Sequence, residues 1–369
     1  MLTRRQKIER FLAFLFPVQL VIFHFLSKNQ DWIENIYIPY IFRYLTLPLR
    51  FTLGWLNVSL GLILFYVLLI FFLAKGSRAV IQIIRKRHGF NIKNTLIKGL
   101  GYLSIFYGIF MVFWGFAYHR RPYQATRGVN TANINTPELE ALCLRLAHLA
   151  KHYRQQLPAI RSTPTNFNSV FKRAPLGYQH LSKTAPELTV DVPSLKLGFN
   201  KKIMSYLNIS GIYFPFTAEA NLNEILPAFQ APFVTCHEMA HQFGFASEEE
   251  ANYIAYLACM HHPNPDFRYA ANHWLLYTSL QALKNADEEK YLTVYSRIDK
   301  EIIGDQSYAE DLWQKYDNPI PYFTGNILFD LFLKANDQPA GINSYNLAVE
   351  LMVGEYRKNG LRFEKSIPQ

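Results

Sequence analysis

Three uncharged apolar runs limit what this chain can fold into more than any other feature of it: Phe11–Ser27, Val58–Ala74 and Gly99–Tyr118. Crossing the hydrocarbon core of a bilayer takes roughly 20 apolar residues in a helix, with about 17 as the working minimum. The third run meets that length and the first two reach the minimum. Arg10 and Lys28 bound the first run, Lys75 closes the second, and Arg120 and Arg121 follow the third. None contains Asp, Glu, Lys or Arg, so no ion pathway is indicated. The first run follows a basic start like that of a signal peptide, but no small-x-small cleavage site follows it. We therefore expect three transmembrane helices, at about 11–27, 58–74 and 99–118, and a membrane domain over residues 1–121.

Charge then orients the chain. Residues 1–121 hold 16 Lys/Arg and 3 Asp/Glu, whereas residues 122–369 hold 22 Lys/Arg and 25 Asp/Glu. The formal charge of +10 thus belongs to the membrane-flanking part, which argues against a nucleic-acid partner. Arg4, Arg5, Lys7 and Arg10 precede the first run, and Lys75, Arg78, Arg85, Lys86, Arg87, Lys93 and Lys98 lie between the second and third. The intervening loop has only Lys28, Arg43 and Arg50. Positive loops stay inside, so the expectation is a multi-pass protein of the cytoplasmic membrane with a cytoplasmic N-terminus. Residues 122–369 then form an extracytoplasmic domain; Arg120 and Arg121 oppose this and are outweighed by the second loop. The aromatic stretch Trp32–Trp55 suits either the outer membrane interface or packing on the spans.

The outer part reads as one α+β domain, mostly helical. Thr136 as N-cap with Pro137 at the first helical position predicts a helix carrying Leu139, Leu142, Cys143, Leu146 and Leu149 on one face. Residues 155–186 read as irregular, punctuated by Pro158, Pro164, Pro175 and Pro186. Short β-like runs follow between Leu188 and Asn223, especially Gly211–Phe216, and the pattern from Pro232 onward is helical. Cys143, Cys236 and Cys259 make no disulfide framework; a Cys236–Cys259 bridge and buried free thiols are both compatible with the sequence.

The chemistry sits in His237-Glu238-Met239-Ala240-His241. Two histidines four apart share one helix face and reach one metal ion. Neutral imidazoles suit zinc, whose catalytic sites take three protein ligands and leave one position open. Glu238, beside the first histidine, is placed to accept a proton from zinc-activated water, as general base. Apolar Pro232–Cys236 leads in, Gly244 allows the helix to stop and turn back, and Ser247-Glu248-Glu249-Glu250 opens a second apolar helix to about His261. Ser247 stands where a three-histidine site would have its last ligand, so a glutamate is expected instead. Glu250 shares a face with Ile254, Leu257 and His261 and is the expected third ligand, Glu249 the next choice; a capping box of Ser247 with Glu250 is the competing reading.

The run from Ser210 to Asn221, the motif His237–Gly244, Glu249-Glu250-Ala251-Asn252-Tyr253, Leu333-Lys334-Ala335-Asn336 and Gly341-Ile342-Asn343-Ser344-Tyr345 together resemble a bacterial membrane-protein family catalogued as domain of unknown function 3810. That family is similar to zinc peptidases of the two-His, one-Glu type. The resemblance implies Zn2+ at His237, His241 and a glutamate of the Glu249-Glu250 pair, and supplies no reaction. Less specific candidates are Gly211–Phe216 as a substrate-binding strand, Tyr345 as an oxyanion donor, and Asn252 as a residue orienting a metal ligand. His261, His262 and His273 read as surface residues rather than parts of the site.

These readings converge on a membrane-anchored zinc metallopeptidase, embedded in the lipid bilayer and cutting a peptide or protein substrate outside it. A non-catalytic membrane-tethered binding or scaffold protein with a structural or vestigial zinc site is the alternative. Glu238 separates the two, since a structural site has no use for a carboxylate there. An intramembrane protease is excluded by placement, because the motif lies more than a hundred residues past the last run.

Overall fold

The computed structural model describes residues 3–84, 92–158, 160–161, 164–189, 191–198, 200–318, 334 and 344–359. It is mostly helical, with one small mixed sheet. Three of its helices are long and apolar enough to cross a membrane: α1 (Arg4–Ser27), α4 (Leu60–Ile84) and α5 (Ile92–Phe113). Thr3 starts α1 with a reciprocal capping box to Gln6. The third expected span ends at Phe113, because Gly115–His119 forms a 3-10 turn whose Phe116, Ala117 and Tyr118 are buried against protein.

Helices α1 and α5 run side by side in the same direction. Glu9 lies 3.9 Å from Lys98, Ser104 Oγ donates to Gln19 at 2.9 Å, and the Phe23 ring packs on Tyr107 and Phe116. Between α1 and α4 the chain is helical throughout: α2 (Gln30–Trp32), a π-helical stretch (Ile33–Phe42) and α3 (Arg43–Leu53). Pro39 sits inside the π-helical stretch, where a wider turn relieves the clash of its ring with the preceding carbonyls. This aromatic region packs on both parts of the protein. Tyr37 Oη donates to Val112 O at 3.0 Å, and the Arg43 guanidinium clasps Asp191 at 2.9 and 3.0 Å.

Beyond α6 (Tyr123–Arg127) comes α7 (Thr136–Arg154). Asn135 is its N-cap rather than Thr136, one residue earlier than expected, since Asn135 makes a complete capping box with Glu138. The supposedly irregular region contains α8 (Phe167–Leu181), with Pro175 inside it. Phe167, Val170, Ala174, Tyr178 and Leu181 are buried at helical spacing, and that packing outweighs the one backbone bond the proline deletes.

The sheet comprises β1 (Leu195–Leu197), β2 (Gly211–Phe214) and β3 (Glu219–Leu222), in the order β1-β3-β2. Strand β1 pairs parallel and β2 antiparallel with the central β3. Helix α9 (Lys201–Tyr206) lies in the β1–β2 connection. The rest is a helical layer: α10 (Ala231–Gln242), α11 (Glu248–Met260), α12 (Pro265–Ala286), α13 (Glu288–Tyr295), α14 (Lys300–Gln314) and α15 (Ser344–Asn359). The main core lies where α10 and α11 meet α7, α8 and α12, around Leu146, Tyr178, Met239, Ile254 and Leu276. All three cysteines are buried free thiols.

Residue 121 does not divide the contacts. On β1, Lys196 Nζ donates to Leu53 O at 2.9 Å and Val58 O at 3.1 Å, and pairs with Glu219 of β3. Glu219 accepts from Gly61 N at 2.6 Å, Leu60 N at 3.2 Å, Ser59 Oγ at 3.3 Å and Thr217 Oγ1 at 2.9 Å. A carboxylate on the free amides of a helix start is favoured by both hydrogen bonding and the helix dipole. One face of the sheet is thereby bolted to the first turn of α4.

Candidate metal centre

The opposite face of the sheet carries α10. Gln242, at its last turn, donates from Nε2 to Ser194 O at 2.7 Å and Ala218 O at 3.1 Å, which ties the helix to β1 and to the residue before β3. Gly244 then takes φ +81°, a left-handed conformation that suits glycine after a helix end. The turn brings Phe245 O back under the helix, where it accepts from His241 Nδ1 at 2.6 Å. With Nδ1 carrying the proton, Nε2 of His241 presents its lone pair.

That lone pair faces His237. The two Nε2 atoms are 3.1 Å apart, and Glu248 completes a cluster with its oxygens 3.3 Å from His237 Nε2 and 3.8 Å from His241 Nε2. One ligand atom from each of His237, His241 and Glu248 lies within 4.8 Å of the others. Sequence reasoning placed Glu250 here, and the structure brings Glu248 instead. Glu250 is turned away, accepting from Tyr123 N at 2.6 Å. Neither does Glu250 cap its own helix, for Ser247 is the N-cap and makes no side-chain cap bond. Glu249 is not part of the cluster.

Charge in the cluster is finely distributed. Burial pushes His241 down to about 4, with the charge of His237 adding to the effect. Burial would lower His237 too, but its hydrogen bond and charge interaction with Glu248 raise it. Glu248 is held below the usual carboxylate range: burial opposes this, and the contact with His237 and the charges of both histidines overcome it. The carboxylate of Glu248 thus favours positive charge between the two imidazoles, which is also the position a metal cation would take.

Glu238 lies beside the cluster, 3 % exposed, and its Oε2 has no hydrogen-bond partner among the described residues. Burial pushes it up to about 8; the charge of His237 opposes this and that of Glu248 adds to it. Its carboxylate presses on β2 so closely that a Cβ on Gly211 would stand 2.8 Å from Glu238 Cδ. Only glycine leaves that space.

Asn252 is a buried neighbour of His237 and contributes to its raised proton affinity. His237 Nδ1 and Asn252 Nδ2 both lack hydrogen-bond partners among the described residues, and turning the Asn252 amide over presents Oδ1 to the ring instead. That arrangement would fix the His237 tautomer as Phe245 O fixes that of His241.

Trp114 and Tyr213 complete the surroundings, their rings 5.8 and 6.5 Å from that of His241. Trp114 belongs to no motif and the sequence marks Tyr213 only as part of the Gly211–Phe216 strand; both reach His241 as packing partners from distant segments. Tyr345 is the second residue of α15, but its side chain lies outside the described residues, as do Leu333, Ala335, Asn336 and residues 341–343. His262 and His273 are buried, not on the surface, and burial pushes each down to about 4. His262 accepts from Asn264 N at 3.0 Å and its Nε2 meets Arg173 O at 3.0 Å; His273 packs edge-on and tilted among the rings of Phe229, Tyr269 and Tyr277. His261 is half-buried and bonded to Leu257 O, away from the cluster.

The profile of a family described as Protein of unknown function (DUF3810) matches residues 37–353. The chain belongs to that family. No curated protein and no solved structure matches it. The DUF3810 match starts inside the π-helical stretch and takes in α4, α5, the sheet, α10 and α11. The cluster and the sheet that carries it therefore lie within the family's own extent.

Proposed function

We propose that this member of the DUF3810 family is a membrane-anchored zinc metallopeptidase. The observation that carries the reading is the convergence of His237, His241 and Glu248 beside a buried, unpartnered Glu238. Two nitrogens and a carboxylate fit zinc in kind and number, and three ligands leave the open position that a catalytic site keeps. A structural site is closed by four ligands, and no fourth His, Cys, Asp or Glu joins the cluster among the described residues. Bound there, zinc would supply Lewis acidity to a carbonyl and lower the pKa of water.

The chain's own residues account for the rest of the chemistry. Glu238, ionised by a neighbouring dication, accepts a proton from the attacking water as its oxygen bonds the scissile carbonyl carbon. When the carbon–nitrogen bond breaks, Glu238 returns that proton to the leaving amine, giving a new carboxyl terminus and a new amino terminus. Phe245 O and Asn252 orient the two imidazoles.

Strand β2 supports peptide as the substrate. It lies at the edge of the sheet, with its Gly211 end against Glu238. Asn223 N donates to Ser210 O at 2.9 Å, which sets the antiparallel alternation. Ile212 and Phe214 therefore turn their backbone groups to β3, while Gly211 and Tyr213 turn theirs to the outer edge. An extended peptide adds to such an edge through its main chain.

The test is metal content of the full chain purified in detergent, for wild type and His237→Ala, by elemental analysis. We expect about one zinc per chain, lost in the variant, and Glu238-dependent cutting of a peptide library. Absence of zinc from carefully handled wild type would leave a membrane-tethered binding protein as the better account.

A further inference from the structure

Resting on the peptidase reading, we propose that the substrate is a polypeptide anchored in the same bilayer, cut within the first few residues that emerge from it. The inference comes from where the two ends of β2 lie. At one end, Gly211 abuts Glu238. At the other, Phe214 packs against Gly61 and against the Phe65 ring, 6.3 Å away, at the outer end of α4. Two residues further on, the Phe216 ring is 6.1 Å from both Phe106 and Phe113 of α5. The β2–β3 turn thus sits among the ends of two helices that are long and apolar enough to cross a membrane.

Four residues at about 3.3 Å each separate that turn from the catalytic carboxylate, about 13 Å in all. The metal cluster is equally close from the other side. Trp114 directly follows the last residue of α5, and its ring lies 5.8 Å from that of His241. A free peptide has no need of a binding edge that descends to the hydrocarbon boundary. A chain leaving the bilayer beside α4 or α5 meets that edge first and reaches Glu238 after about three to four extended residues. Its tether also supplies the high effective concentration that a backbone-only contact of four residues lacks.

The lipid-facing surface agrees with this approach. Helices α1 and α5 pack along their length, whereas α4 is held chiefly at its first turn by Glu219 and leaves Phe65, Phe71 and Phe72 exposed.

The experiment uses the full chain, zinc-loaded, in vesicles of phosphatidylethanolamine and phosphatidylglycerol. The substrates are a pool of single-span helices, each bearing a randomised 15-residue outer tail, and the same tails without the span. Cut sites are read by mass spectrometry, with Glu238→Gln as the control. We expect anchored tails to be cut at least about tenfold faster than free ones, with cuts confined to about the first eight residues beyond the span. Equal rates for the two pools, or cuts spread evenly along the anchored tails, would overturn the proposal while leaving the peptidase reading intact. No Glu238-dependent cutting of either pool would overturn both.

Discussion

The two faces of the small sheet each bury a carboxylate, and they do so to opposite ends. Towards α4, Glu219 is fully buried and both its oxygens are taken, by Lys196, two helix-start amides and two hydroxyls. Towards α10, Glu238 is buried with Oε2 unpartnered, next to two imidazoles whose nitrogens face each other at 3.1 Å. A polar cluster that satisfies itself holds structure together. One that stays unsatisfied in a buried place keeps its bonding capacity for something else, at a cost in stability that the surrounding fold must offset. On the function proposed above, the difference separates an anchor from a reactive site on the two faces of one sheet.

The sharpest test of that contrast is to neutralise the unsatisfied side. Glu238→Gln is expected to lower peptide hydrolysis roughly 10²–10⁴-fold, with zinc content and thermal stability unchanged, since no bond among the described residues depends on Oε2. A large loss of stability in that variant would mean that Glu238 is structural and the contrast false. The mirror experiment is Glu219→Ala. Removing it leaves Lys196 buried without its counter-charge, and breaking such a pair costs about 3–5 kcal/mol. Thermal unfolding of the full chain in detergent reads this, and an unchanged midpoint would show that the sheet is not bolted to α4 as described.

Smaller effects separate neighbouring residues on the metal side. Glu248→Gln should weaken zinc binding about a hundredfold in a competition titration, while Glu250→Gln, whose carboxylate serves Tyr123 N, should keep affinity close to wild type. The reverse ranking would restore Glu250 as ligand.

The smallest effect is expected away from the sheet altogether. His273 is pushed down to about 4 by burial, against about 6.5 in an unfolded chain. Between those values the unfolded state binds a proton that the folded state does not. Stability should therefore be flat above pH 6.5 and fall below it, by on the order of 1–2 kcal/mol at pH 5. His262, also near 4, acts with the same sign. His273→Phe should flatten that slope, because the ring meets Phe229 edge-on and its Nε2 has no partner among the described residues to lose. Persistence of the full slope would assign the acid sensitivity to other groups.

Local features of the chain survived into the structure wherever the physics was local. Three uncharged runs became three long apolar helices, since a helix satisfies its own backbone and needs no partner to do so. The spacing of His237 and His241 put both rings on one side of α10, because 3.6 residues per turn leaves them no other choice. Gly244 ended that helix as a residue tolerant of positive φ should. Pro175 misled, because proline reports a lost hydrogen bond and says nothing of the packing that compensates for it.

What the tertiary structure alone decided concerns choices between near-equal neighbours and contacts across long separations. Which of Glu248, Glu249 and Glu250 meets the histidines depends on how α11 is set against α10 after the turn at Gly244, and one residue along a helix rotates a side chain by about 100°. Face arithmetic within α11 selects its buried side, and Glu250 is indeed buried, but towards Tyr123. Trp114 beside His241, Gly211 beneath Glu238 and Glu219 on the first turn of α4 come from segments far apart in the chain. Periodicity and motif carry the chemistry a residue can perform; only the packed chain sets the company in which it performs it.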